Sequence, residues 1–490
     1  MQSEAASSCD VLILGGGPAG MAAAMELVRA GRHPLIVEKD AQVGGLAQTL
    51  RFEQPEGTYL TDIGPHRFFS KNKYLYDFIG DLLGEEWRKI PRHTRFFVDG
   101  KFYHYPVRLG QVLRNVGPLN AFHAMWDYLL ARLFPREIRT FEDHSINTFG
   151  RWLAAFNMLN YTEKIWGIPC NQISVDWATQ RIADLSIWSI LKKALFRGQQ
   201  GPKTLTDSFY YPSLGSGLIY RRIRERVEER GGEVRTSAQP VAIHWEGRRV
   251  TSVEVSSAGG TQAFSPQAVV HSVPLTQTVH LFHPSPPAEV MEAASALRFR
   301  SQVYLFLTVN RERIGPDNWV YFPDLEVPFG RMSEMKNFSE RMCPTGRTSL
   351  FIEFFCFEGD DIWKASKEEL FERSMPWLER LGFLRREEVT SMHHLRRANS
   401  YPLYDLSYHG HVQTVLRWLD GFENFYAVGR PGRFRYTNQD HSQEMGILAA
   451  QSILDGRRRD LDQVGAEDEY FERGFVPEQY KRVMVSAVEP

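Results

Sequence analysis

Three glycines, Gly15, Gly17 and Gly20, stand at GxGxxG spacing between the apolar run Val11–Leu14 and the Ala/Met/Leu-rich segment Met21–Ala30. Glycine at these positions lets a strand turn tightly into a helix and brings bare backbone N–H groups against a pyrophosphate at the helix N-terminus. Glu38 closes the next apolar run, Pro34–Val37, where a carboxylate can accept hydrogen bonds from an adenosine ribose. Strand, glycine turn, helix, strand and acid together read as a dinucleotide-binding unit. Three more stretches carry chemistry-bearing residues: the Gly44-Gly45-Leu46-Ala47 loop, the Gly64-Pro65-His66 turn after TYLTDI, and GRPGRFRYTNQDHS from Gly429 to Ser442. The last packs Arg430, Arg433, Arg435, Tyr436, Asn438 and Gln439 together, a composition suited to a planar anion.

The elements that must position these residues follow from hydrophobic periodicity. From Gly110 to about Phe196 the Leu, Ala and Trp spacing is helical, as in Leu119–Phe134. Between Glu233 and about Glu358 the chain is strand-rich, with a hairpin at Glu246-Gly247 and strands in VYLFLTV, WVYFP and SLFIEFFCF. Phe425–Val428 and the helical Ser442–Leu454 return the chain to the nucleotide domain. The fold expected is α/β: a Rossmann-like FAD-binding domain with a helical insertion and a second, mostly antiparallel sheet on the substrate side. Its parts are expected at 9–105 (first FAD part), 106–200 (helical insertion), 201–235 (middle FAD part), 236–420 (antiparallel sheet), 421–456 (FAD return) and 457–490 (charged extension).

Composition excludes several classes. The 490 residues are too many for one simple domain, and a net charge of −1 provides no global field to collect nucleic acid. Four scattered cysteines, Cys9, Cys170, Cys343 and Cys356, show no metal-type spacing, so no metal is expected. A polar N-terminus and the lack of any run of about 18 apolar residues predict no integral membrane segment and a cytoplasmic location.

The Gly44-Gly45 pair after the ribose acid resembles flavoproteins of the glutathione-reductase type and implies FAD, held by Gly15, Gly17, Gly20, Glu38, Gly45, Leu46 and Gly64. Further stretches resemble the flavin-dependent UDP-galactopyranose mutases, most closely the longer eukaryotic-type members: GPHRFF, DGKFYHYP, KIWGIPCNQISVDWATQRI, NWVYFPDLEVPFGR, SYP and GRPGRFRYTNQDHS. In that family N5 of reduced FAD attacks the anomeric carbon of a nucleotide sugar and no net oxidation occurs. The resemblance implies that Arg181 and Arg331 bind the diphosphate, that Tyr321, Tyr401 and Tyr436 touch it with Trp319 beside them, and that His66 lies against the isoalloxazine. It further implies that Arg430, Asn438 and Gln439 contact FAD and that Tyr105 and Arg108 face the substrate, with NAD(P)H as a candidate external reductant. Val107-Arg108 replaces the family's Phe-Gln after Tyr-Pro, which leaves the base and the sugar open. Arg433 and Arg435 acquire no role. The same FAD architecture serves amine oxidases, protoporphyrinogen oxidases and desaturases, so an FAD-dependent oxidase is the alternative; oligomeric state is left open.

Overall fold

The computed structural model describes residues 6–68, 70, 72–105, 109–178 and 208–465. Arg108, Arg181 and the charged extension beyond 465 lie outside the described residues.

Two large sheets organise the chain. Ser7–Leu14 and Pro34–Val37 pair in parallel, flanked by Glu233–Arg235 on one side and the end of Gly260–His271 on the other, with Phe425–Ala427 beyond. Val11–Leu14 and Pro34–Val37 are buried at every position, the continuous apolar pattern of a parallel sheet covered on both faces. One cover consists of the helix Pro18–Arg29 packed on the helix Gln439–Asp455. The latter is buried without interruption from Gln439 to Ser452. Their close approach requires Gly446, where a Cβ would fall 2.0 Å from the carbonyl oxygen of Ala19.

The second sheet has seven strands in the order Val389–Pro402, Phe299–Val309, Thr348–Cys356, Arg331–Glu334, Trp319–Tyr321, Thr94–Val98, Lys101–His104. It is antiparallel except where Trp319–Tyr321 runs parallel to Thr94–Val98. Phe299–Val309 is buried along its whole length, and each of its leucines and valines contributes about 1.5–3 kcal/mol by leaving water.

Sheet membership departs from the expected boundaries in two places. The hairpin strands Gln239–Glu246 and Arg249–Ser257 join the nucleotide-side sheet through Gly260–His271, not the second sheet. Conversely Thr94–Val98 and Lys101–His104, expected in the first FAD segment, edge the second sheet. The reason is physical: alternation along a strand says which face is buried but not which sheet supplies the partner.

The helical insertion contains Leu109–Val116, Pro118–Leu133 and Phe141–Phe149, followed by Arg151–Trp166 with a π turn at Ala154–Leu159. The π turn adds a residue to the helical register, turning the following segment by about 100° and aiming Tyr161 at the edge of the second sheet.

Candidate functional site

The cradle for a dinucleotide is built from backbone. Gly15 takes φ 103°, donates its N–H to Val37 O at 2.8 Å, and turns the first strand into the Pro18–Arg29 helix. A Cβ on Gly20 would sit 2.0 Å from Gly15 O, so the turn admits no larger residue there. The Gly44-Gly45 loop folds back onto it: Gly44 N–H donates to Gly16 O at 2.8 Å, and a Cβ on Gly45 would come within 3.1 Å of Gly17 Cα. Two bare glycine surfaces thus face each other at a helix N-terminus with Pro18 in its first turn and no side-chain cap. Glu38, buried at the strand end, accepts from Gly16 N–H at 2.7 Å and Asp40 N–H at 2.8 Å. Burial raises its pKa, with the two N–H donors opposing that effect. Leu46 is half-buried beside this loop. These features fit the pyrophosphate and ribose of FAD.

Beside the cradle the chain gathers a cluster of tyrosines around two arginines. Arg331 opens its strand and meets Glu353 of the neighbouring strand in a fork, Nε–Oε1 2.5 Å and Nη2–Oε2 2.6 Å, with the carboxylate fully buried. Burial opposes charge on Arg331, but the paired carboxylate outweighs it and holds the guanidinium well above its ordinary pKa. Its Nη1 has no hydrogen-bond partner among the described residues, leaving one side of the fork for an incoming oxygen. Gln302 Nε2 donates to Glu353 at 3.3 Å, and Tyr304 donates to Gln302 Oε1 at 2.6 Å.

Tyr401 and Tyr436 stack with centroids 5.7 Å apart and planes 12° from parallel, and the Arg430 guanidinium lies 5.2 Å and 4.7 Å from the two ring centres. Arg430 also donates to the carbonyls of Thr437 at 2.9 Å and Ser400 at 3.2 Å, so it clamps together the segments carrying both rings. Each segment turns through a non-glycine residue in the left-handed region, Asn399 at φ 54° and Phe434 at φ 49°. For a buried phenylalanine this is strained backbone, held by packing of Phe434 on Phe299. Tyr161 and Tyr105 meet Tyr321 edge-on. Burial raises the pKa values of Tyr161 and Tyr401, so both are hydroxyl donors at neutral pH.

The Gly64–Arg67 turn crosses this cluster. A Cβ on Gly64 (φ 94°) would stand 3.4 Å from Arg331 Nη2 and 3.5 Å from Glu353 Oε2. His66 Nδ1 lies 3.1 Å from Gly64 O, and burial, then Arg430 and Arg331, push its pKa down to about 3, so the imidazole is neutral. Its carbonyl accepts from Ser216 Oγ at 2.8 Å and Gln439 Nε2 at 3.2 Å. Below the turn, buried Asp62 accepts from Thr49 Oγ1, Tyr211 OH and Ser216 N–H.

His66, Gly64, Arg331, Arg430, Tyr321, Tyr401, Tyr436 and Gln439 therefore converge. Trp319 is buried against Phe209 and Phe338 under Arg92, its Nε1 without a partner among the described residues. Asn438 is exposed at the start of the last helix, where its side chain makes no cap. Arg433, without a role from sequence, is buried and ion-paired to Asp420 and Asp462. Sequence reasoning missed Glu353, Tyr161, Asp62 and Lys164. Lys164 Nζ, partly buried, donates into the carbonyls of Phe322 (2.7 Å), Val327 (2.9 Å) and Phe329 (3.3 Å) and also contacts that of Asp324. It thereby fixes the loop between Tyr321 and Arg331.

A Rossmann cradle with opposed glycine loops, roofed by an antiparallel sheet, defines an FAD-dependent flavoprotein. The chain belongs to the flavin containing amine oxidoreductase family, whose model matches residues 18–454. A curated relative, an L-amino-acid oxidase of Bothrops moojeni, is 28% identical over 123 residues, spanning 22% of this chain and 24% of that protein. The fold is similar to that of a reduced UDP-galactopyranose mutase, with TM-score 0.78, 21% identity, and 94% of this chain and 99% of that one covered. A putative protoporphyrinogen oxidase from Exiguobacterium sp. 255-15 aligns with TM-score 0.68 and 16% identity over 94% of this chain and 100% of that one. At these identities the likeness is one of fold.

Proposed function

We propose that this chain is a flavin-dependent mutase that interconverts the pyranose and furanose forms of a nucleotide-diphosphate sugar. The observation that carries the reading is the Arg331–Glu353 fork: a largely enclosed guanidinium, pinned in place by a buried carboxylate, with Nη1 unpaired among the described residues, the Tyr321 ring 5.9 Å away and Tyr161 and Tyr401 close enough to influence its charge. Fixed cations and hydroxyl donors in a dry site suit a leaving diphosphate, whose charge grows as the anomeric bond breaks. An apolar amine or polyene needs none of them. Reduced FAD, when bound, would supply the nucleophilic nitrogen for a reaction with no net oxidation.

In this reading Arg331 orients the diphosphate and Arg181 adds a second cation. Tyr401 and Tyr436 donate to its oxygens, and Arg108 and Tyr105 contact the nucleoside. Neutral His66, with Nδ1 donating to Gly64 O, would leave Nε2 free to accept a hydrogen bond from a bound flavin or substrate. Gln439 and Ser216 hold the backbone of that turn.

The family match itself favours a second reading, an oxidase that removes hydride from a small amine or a related substrate. One experiment separates them. Dithionite-reduced protein, incubated anaerobically with UDP-galactopyranose and other nucleotide sugars, is expected to yield ring-contracted product and a borohydride-trappable flavin adduct. Absence of product with every nucleotide sugar, together with steady peroxide release from an amine in air, would overturn the mutase reading.

A further inference from the structure

The helix Pro118–Leu133 is fastened to the molecule along one narrow line. Ala124 is its one buried residue, Asp127 Oδ2 accepts from Trp152 N–H at 3.0 Å, and Gly150 lets the backbone of Tyr128 approach to where a Cβ would be 2.7 Å away. Asn120, His123 and Arg132 are exposed and polar, but the large side chains that face outward are apolar: Leu119 is 85% exposed, Phe122 72%, Trp126 55% and Leu133 70%, with Leu130 between them and Phe134 just after. These positions recur at helical spacing and form one stripe about 24 Å long. Scattered exposed leucines need no explanation, but a contiguous stripe of this kind marks a docking surface.

Charge and size select the occupant. Residues 109–139 carry Arg114, Arg132, Arg136 and Arg139 against Asp127 and Glu137, and all four arginines are exposed. Arg114 and Arg132 have no carboxylate within ion-pair distance among the described residues, whereas the two acids serve Trp152 and Arg139 locally. A second copy would bring like charges together. Its footprint on the stripe, about 24 Å by about 10 Å, also falls well short of the roughly 800 Å² per partner that a stable dimer buries. An anionic bilayer satisfies both features, since aromatic and leucine side chains enter the acyl boundary while arginines meet phosphate headgroups.

We propose that the protein docks peripherally on anionic phospholipid membranes through this helix, lying in the interface without spanning it. The proposal is independent of which reaction the flavin site performs. Its test uses the full FAD-loaded chain in flotation with phosphatidylcholine vesicles, with and without phosphatidylglycerol, at low and high salt. Wild type is expected to float with phosphatidylglycerol vesicles, less so as salt rises. The variant Phe122→Ser/Trp126→Ser/Leu133→Ser is expected to partition at least about tenfold more weakly with its flavin spectrum unchanged. Wild type remaining unbound, or the triple variant floating equally well, would overturn the proposal. A dimer in sedimentation velocity that the triple substitution dissociates would overturn it in favour of a second copy.

Discussion

At Arg331 the competing terms are large, and they set what a substitution does. Removing one member of a buried ion pair leaves the other charge uncompensated, at a cost of about 3–5 kcal/mol, whereas replacing both with apolar residues is far milder. Arg331→Leu is therefore expected to lower stability by about 3 kcal/mol and Arg331→Leu/Glu353→Leu to recover most of it, read as denaturation midpoints of the FAD-loaded protein. On the proposed function both variants should weaken UDP binding alike, because of this pair the guanidinium alone is assigned to the ligand. His66 makes a second prediction. Its folded pKa of about 3 lies below the ordinary 6.5, so between those values the unfolded chain binds the extra proton and stability falls as pH drops. His66→Asn should thus lose less stability than wild type between pH 6.5 and 5, by up to about 2 kcal/mol, checked by melting curves across that range. These residues differed in how readable they were. Gly15, Gly17 and Gly20 leave a fingerprint because the backbone itself demands glycine at fixed spacing. Glu353 and Asp62 leave none, because an acid gains its meaning only from partners distant in sequence, Arg331 in one case and Tyr211 and Ser216 in the other.

The element that matters most to the site is the loop from Phe322 to Gly330, and Lys164 governs it. Burial pushes the Lys164 pKa down to about 7, yet three ammonium protons directed at a cage of backbone carbonyls favour the charged form. Geometry decides here, and the charged, donating state fits it. Lys164→Met is expected to strand those carbonyls, costing about 2–4 kcal/mol, and to speed hydrogen exchange across 322–331 while FAD stays bound. UDP affinity should fall with it, because the loop sets the position of Arg331. An unchanged exchange rate in that segment would show the loop to be self-supporting. From sequence, Lys164 in a helical segment reads as a solvated cation, since nothing local announces the loop that closes over it. The strands were legible as strands for the opposite reason: their burial pattern is local. What they pair with is not local, which is why Gln239–Glu246 and Arg249–Ser257 turned up on the nucleotide sheet.

Across the whole molecule the cofactor and the fold share one framework. The glycine cradle sits at the N-terminus of the first helix, the returning Gln439–Asp455 helix packs on that helix, and the same return helix carries Gln439 to the carbonyl of His66. Sequence had implied this return, because the apolar strand Phe425–Val428 ends at Gly429 and is followed by the helical Ser442–Leu454. It could not register that Gly446 sets the distance between the two helices. A methyl group there meets Ala19 O at 2.0 Å and must push the helices apart, widening the cradle and displacing Gln439 at once. FAD binds the folded chain alone, so its contribution to stability is RT ln(1 + [FAD]/Kd), about 4 kcal/mol at a thousandfold excess over Kd. Gly446→Ala is expected to raise the FAD Kd, so adding FAD should lift its melting temperature by less than it lifts that of wild type. The two apo proteins should differ by a smaller amount, set by packing alone. If the substitution lowered both melting temperatures equally, helix packing would be uncoupled from the cofactor, and the flavin site would rest on the glycine loops without the return helix.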